Sequence, residues 1–248
     1  MASEHTALIA PLTSAGRADE VSLRIAEAIK LGLLVDGERL PPESEFAQQF
    51  GVSPVTLREA IATLRERGLV ETRRGRTGGT FVIRQSDPDE APDMARLMRT
   101  SATALRDLAD EHCAVAGFAA RLAAERATPS GLRRIQSLVE QLSRATRRGE
   151  YIKADSRFHI EVAIATRSER LTHREVALQT ETAGMLWGSY LRDTQIEVVH
   201  QEHLAIAEAI AKQDAHAANS VAEQHVRNNL QRLIAGRLAL RKADGATS

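Results

Sequence analysis

A lone cysteine, Cys113, excludes any disulfide within this chain; it reads as a small filler on a helix face rather than a nucleophile. Aromatic residues are scarce, at 3%, and alanine, leucine, arginine and glutamate, all good helix formers, take their place. No apolar run approaches the ~20 residues that a membrane-spanning helix needs. The N-terminus lacks the basic-then-apolar pattern of a secretion signal, so a cytoplasmic protein is expected. Net charge is missing too, with 33 Lys and Arg against 33 Asp and Glu. That balance conceals an asymmetry. Residues 1–52 carry 4 basic against 8 acidic side chains, whereas residues 53–86 carry 7 against 3. A local positive excess is what attraction to a phosphate backbone requires.

At 248 residues, two modest domains are expected rather than one. An amphipathic helix over Ala18–Leu34 puts Val21, Ile25, Ile29 and Leu33 on one side. Glu43–Phe50 has a second helical pattern, and Gly51-Val52 makes a turn. Ser53 is then a good N-cap, and Pro54 suits the first helical position, where its missing N–H costs nothing. Leu57, Ile61 and Leu64 follow at helical spacing and form a buried face. Val55, Arg58, Glu59, Ala62 and Arg65 are left pointing outward. Two helices joined by a tight glycine turn, the second exposing an arginine near its start, suit entry into a DNA major groove. Leu69–Arg73 and Thr80–Ile83 are short β-like runs around Arg74-Gly75-Arg76-Thr77-Gly78-Gly79. Arg73, Arg74 and Arg76 in that turn form a basic finger suited to phosphates or a minor groove.

Beyond this wing the sequence turns polar, with two prolines over 85–92, and reads as a linker. From Asp93 to about Leu240 no strand pattern emerges. Helical periodicity covers Thr100–Ala127, Pro129–Thr146, Tyr151–Thr166, Glu169–Arg192, Glu197–Lys212 and Ala215–Leu240, with a further short helix near Asp93–Arg99. The fold class expected is mainly α: a winged helix-turn-helix, then an all-α bundle of six or seven helices with short connections. The boundaries expected are an arm over 1–16, a reader over 17–84, the linker, a bundle over 93–241 and a tail over 242–248.

The apolar stripes of that bundle carry polar residues. Ile152, Asp155, His159 and Val162 share one face, as do Val199, His203, Ile206 and Ile210. His225 lies near the edge of the apolar face formed by Ala218, Val221 and Ala222. Burying these groups without partners would cost several kcal/mol. They must satisfy one another, hold water or bind something. One carboxylate and three imidazoles form a reasonable divalent-metal set, and separate hydrogen-bonded histidines are the bland alternative. His112 lies on the inward stripe Leu105, Leu108, His112, Val115. Trp187 and Tyr190 could line a pocket or simply pack the core.

The progression LPPE, helix, GVS, VTLREA, RGLV, RRG, GGTFV resembles the winged helix-turn-helix of GntR-type bacterial transcription regulators, over about Ala18 to Val82. That resemblance implies a DNA interface at Ser53, Thr56, Arg58, Arg74 and Gly75. The pattern departs at Ser44, where the family often has Arg, and at Pro54, where it has Arg or another polar residue. The segments LAAERATPSGL, ADSRFHIEVAIAT, EHLAIAEAI and EQHVRNNL resemble the ligand-binding domain of the FadR-like branch of these regulators. The resemblance implies one divalent ion, zinc before nickel or manganese, bound by Asp155, His159, His203 and His225. It also implies a small carboxylate-bearing effector held by the metal and by nearby basic or polar side chains. His112 and Ala116 stand where the family has an Arg followed four residues later by a Glu, so His112 is either an effector contact or a core residue. The function expected is a homodimeric, ligand-responsive regulator, a repressor of an inverted-repeat operator and not an enzyme. A metal-free regulator answering an acyl thioester and an Asp/His3 metalloenzyme are the competing readings; the second lacks a visible general base or nucleophile.

Overall fold

The computed structural model describes residues 17–75, 78–83, 87 and 89–246. The expected arm over 1–16, Arg76, and residues 85, 86 and 88 of the expected linker lie outside them. The chain forms two compact units that divide between Asp87 and Pro88.

In the first unit, α1 (Arg17–Lys30), α2 (Glu43–Phe50) and α3 (Pro54–Glu66) precede a hairpin of β1 (Val70–Arg73) and β2 (Gly79–Val82). α2 ends because Gly51 takes a left-handed conformation, φ 66°, that a side chain would disfavour. α3 starts at Ser53, whose Oγ accepts from the Thr56 N–H at 3.1 Å, with Pro54 in the first turn. The α3 face of Leu57, Ile61 and Leu64 is buried together with Val21, Ile25 and Ile29 of α1. Each such side chain contributes about 1.5–3 kcal/mol by leaving water. The strands pair antiparallel, Val70 opposite Val82, and Leu40 adds a backbone bond to Thr80 O at 2.8 Å.

Every regular element among the second unit's described residues is a helix. It comprises α4 (Ala91–Arg99), α5 (Ala102–Arg126), α6 (Pro129–Arg144), α7 (Arg148–Ala165), α8 (Glu169–Leu186), α9 (Asp193–Ala211) and α10 (Ala215–Ala246). α5 lies along α10, and α7 packs between α6 and α8 while also meeting α5. Alanines at the contact faces, Ala120, Ala123, Ala207, Ala218 and Ala222, let the helices approach closely around Ile135, Phe158 and Ile206. No helix among the described residues is long and apolar enough to cross a membrane.

Several helix ends differ from the sequence expectation: α1 closes at Lys30 rather than Leu34, and α7 and α9 start earlier, at Arg148 and Asp193. α10 continues past Leu240 to Ala246. α8 stops at Leu186 instead of reaching Arg192. Arg148 of α7 explains the stop: Nε donates to Trp187 O at 2.7 Å and Nη2 to Gly184 O at 2.8 Å. A guanidinium thus satisfies carbonyls that further helix would otherwise have bonded. Nη2 also reaches Asp93 Oδ2 of α4 at 2.6 Å. Tyr190 folds back, its hydroxyl donating to Met185 O at 2.6 Å.

Candidate metal centre and nucleic-acid interface

In the reader unit, α3 presents its outward side chains as the spacing predicts. Val55 is 61% exposed in the first turn, where an apolar group can meet a thymine methyl. Arg58 is exposed, and its Nε donates to Glu43 Oε2 at 2.6 Å. Exposed ion pairs contribute at most about 1 kcal/mol, so duplex phosphates can displace Glu43 cheaply. Ser53 and Thr56 hold each other, Oγ to Oγ1 at 2.9 Å, as well as capping the helix. In the wing, Arg73 lies 4.5 Å over the Phe81 ring and pairs with Glu71. Arg74 is exposed. Gly75 has φ 110°, and a Cβ at Gly78 would meet Arg73 O at 2.5 Å, so both glycines are needed for so tight a turn.

In the helical unit, Asp155 and His159 from α7 meet His203 from α9 and His225 from α10. One candidate ligand atom from each lies within 4.8 Å of the others. All four residues are buried. His159 Nε2 faces His225 Nε2 at 3.1 Å, and His203 Nε2 lies 3.3 Å from Asp155 Oδ1 without the alignment of a hydrogen bond. Asp155 Oδ1 and His203 Nε2 are left without a hydrogen-bond partner in the interior. Such orphans carry a large desolvation cost and call for an occupant.

The charge pattern agrees with a cation site. Burial lowers His159 to a pKa of about 3, with His225 and His203 adding to the effect and Asp155 opposing it. Burial likewise lowers His203 to about 4, against the pull of Asp155. Burial opposes ionisation of Asp155, but His203, His159 and His225 together hold its carboxyl below the ordinary range. An ionised carboxylate beside neutral imidazoles is the protonation state that metal coordination demands. The orphaned atoms and the hard-and-borderline donor set fit a divalent ion.

Outer residues orient this set. His225 Nδ1 donates to Glu202 Oε2 at 2.7 Å, which directs the Nε2 lone pair inward. Glu202 in turn accepts from Asn228 Nδ2 and from Arg232 Nη2, each at 2.7 Å. The Phe158 ring stacks on His203, centroids 4.0 Å apart.

A cleft beside the cluster encloses about 410 Å³, part of it open solvent. Asp155, His159, His112, Gln179, Thr182 and Asn229 form its polar lining. His112 Nε2 sits 3.1 Å from Glu175 Oε1, which also accepts from Gln179 Nε2 at 2.9 Å. Burial depresses His112, but Glu175 outweighs it and raises the imidazole above its ordinary value. Trp187 and Tyr190 are not among the residues lining this cleft. Trp187 stacks on Tyr151 at 4.9 Å, and Tyr190 packs against Gly236 and Gly188. Glu175, Gln179, Asn229, Glu202 and Arg232 were not singled out by sequence. Two of them had a local signal: Glu202 precedes His203, and Asn229 falls one turn after His225.

Comparison with known proteins bears on both halves. Residues 17–82 match the bacterial regulatory proteins of the gntR family, and residues 107–228 match the FCD domain. The chain is 43% identical over 234 residues to the HTH-type transcriptional regulator RmpR of Mycobacterium gastri, covering 94% of this chain and 85% of that protein. It is 32% identical over 233 residues to the Uxu operon transcriptional regulator of Escherichia coli, covering 90% and 89%. The Glc operon transcriptional activator of the same organism is 28% identical over 217 residues, covering 82% and 85%. Among solved structures, Escherichia coli McbR/YncC aligns with a TM-score of 0.54 at 17% identity, over 90% of this chain and 98% of that one, a likeness of fold.

Proposed function

This chain belongs to the GntR family of bacterial regulatory proteins, with an FCD domain behind its DNA-binding module, and we propose that it is a cytoplasmic, homodimeric repressor released by a small organic acid. It is a ligand-responsive transcription regulator that binds DNA through its helix-turn-helix and a small effector through its FCD domain.

The observation that carries the reading is the convergence of Asp155, His159, His203 and His225 on one interior point, with Asp155 Oδ1 and His203 Nε2 lacking partners. These residues would hold a divalent ion, zinc in preference to nickel or manganese given three imidazoles. The ion would supply a fixed positive charge on which a carboxylate can rest. His112 and Gln179 line the cleft within reach of the remaining polar atoms of that acid. Two reader modules in a dimer would engage an inverted repeat through Ser53, Thr56, Arg58, Arg74, Gly75 and Arg76. The acid favours the dimer arrangement that fits the operator less well, because it binds the two arrangements with different affinity. A regulator needs no turnover, and relatives named as operon regulators support a role outside catalysis.

The test combines metal analysis with operator gel shifts. Purified protein is expected to carry the ion, Asp155→Ala to lose it, and candidate acids to release the wild-type protein from operator DNA. Metal retained at full occupancy by Asp155→Ala would overturn the site. Operator affinity raised by the acid would overturn release as the mechanism.

A further inference from the structure

The outward surface of α3 divides into two rows. Arg58 and Arg65, both exposed, lie two turns apart on one of them. Val55, Glu59 and Ala62 follow at spacings of four and three on the other, with Val55 and Glu59 exposed. Phosphates repel a row that carries a carboxylate and no cation, so in a major groove this row turns to the base edges. Leu57, Ile61 and Leu64 are buried behind it, whereas Val55 keeps 61% of its surface exposed. Val55 also sits in the first turn, the part of a recognition helix that reaches the bases. Its neighbours there have little to offer a base by hydrogen bonding. Pro54 has no N–H and no polar side-chain atom. The hydroxyls of Ser53 and Thr56 are bonded to each other at 2.9 Å, and Ser53 also caps the helix.

From this arrangement we infer that Val55 determines sequence specificity by seating the C5-methyl group of a thymine in the bound duplex. The inference rests on the reading of α3 as the recognition helix and adds the base that its first turn selects. Among the four bases, thymine alone presents a methyl group in the major groove. Packed together, that methyl and the Val55 isopropyl group shield each other from water, a gain of about fourfold in affinity for one methyl. An amino group or ring nitrogen pressed on the same aliphatic surface would lose its water and find no partner. Uracil isolates the contribution, because it keeps the pairing and the O4 acceptor of thymine and lacks only the methyl.

The test starts with selection of duplexes from a random-sequence pool by the full-length protein. Fluorescence anisotropy then follows binding of the selected duplex with uracil replacing thymine at one position at a time. The wild type is expected to lose about fourfold in affinity at a thymine that meets Val55. Val55→Ser, a change at an exposed position, is expected to be indifferent to uracil there and to keep the wild-type response at every other thymine. A wild type indifferent to uracil throughout, or a Val55→Ser variant with the wild-type uracil profile, would overturn the inference and leave α3 as the recognition helix. Failure of the wild type to enrich any sequence from the pool would overturn that reading as well.

Discussion

Among single residues, Glu202 illustrates how much of the candidate centre lies outside its four ligands. Its carboxylate fixes the tautomer of His225, so Glu202→Gln should lower metal affinity by roughly 10–100-fold while the bundle stays folded. Competition with a metal indicator measures this; unchanged affinity would contradict the orienting role. Acid should also weaken the metal-free protein. His159 and His203 stay neutral down to about 3 and 4, whereas an unfolded histidine takes up its proton near 6.5. Their contribution is therefore fully present above pH 6.5 and is lost progressively from there toward pH 4. His112, raised by Glu175, runs the other way and offsets part of the loss. Below the ordinary carboxylate range Glu175 and Glu202, held near 2 by their partners against burial, extend the decline. Thermal melts of metal-free protein between pH 7 and 5 should show a falling midpoint, and a flat profile would refute the buried neutral histidines. At this scale the sequence disclosed Asp155, His159 and His203, since their helical stripes aim them inward. It was silent on Glu175, whose bond to His112 spans 63 positions and leaves no local periodic trace.

At the scale of elements, local chemistry decides where helices start. Ser53 caps α3, and Ser53→Ala should cost the reader unit about 1 kcal/mol, lowering its melting midpoint by roughly 4–8 °C. Hydrogen exchange resolved by segment checks that the loss is confined to the first unit; equal protection of α3 in both proteins would argue against the cap. Starts of this kind were readable, as at Pro54 and Pro129, because cap and proline lie beside the helix they begin. The end of α8 was not. Trp187 and the residues after it keep enough apolar spacing to continue a helix, and the group that stops it, Arg148, is 39 positions upstream. Tertiary capping of that sort is invisible to a reading that moves residue by residue along the chain.

For the whole molecule, a neutral chain binds a polyanion through its local positive excess. Operator affinity should fall steeply with added salt. Arg58→Ala should weaken specific binding by about 1–3 kcal/mol if it reads a base, and flatten the salt dependence if it meets a phosphate. Fluorescence anisotropy across a salt series separates the two, and unaltered affinity throughout would remove Arg58 from the interface. The two-unit organisation was legible from composition and from the change of periodicity after the wing. The cleft was not, since its lining is assembled from four helices distant in sequence.

The guanidinium of Arg148 ties two ends together. It grips the last carbonyls of α8, whose Thr182 and Leu186 border the effector cleft, and also the Asp93 carboxylate on the helix that follows the reader unit in sequence. One side chain thus fastens the border of the cleft to the helix after the reader unit. If the proposed release by an acid travels through that fastening, Arg148→Gln should leave acid affinity in calorimetry unchanged and abolish release in operator gel shifts; release as in the wild type would refute the coupling.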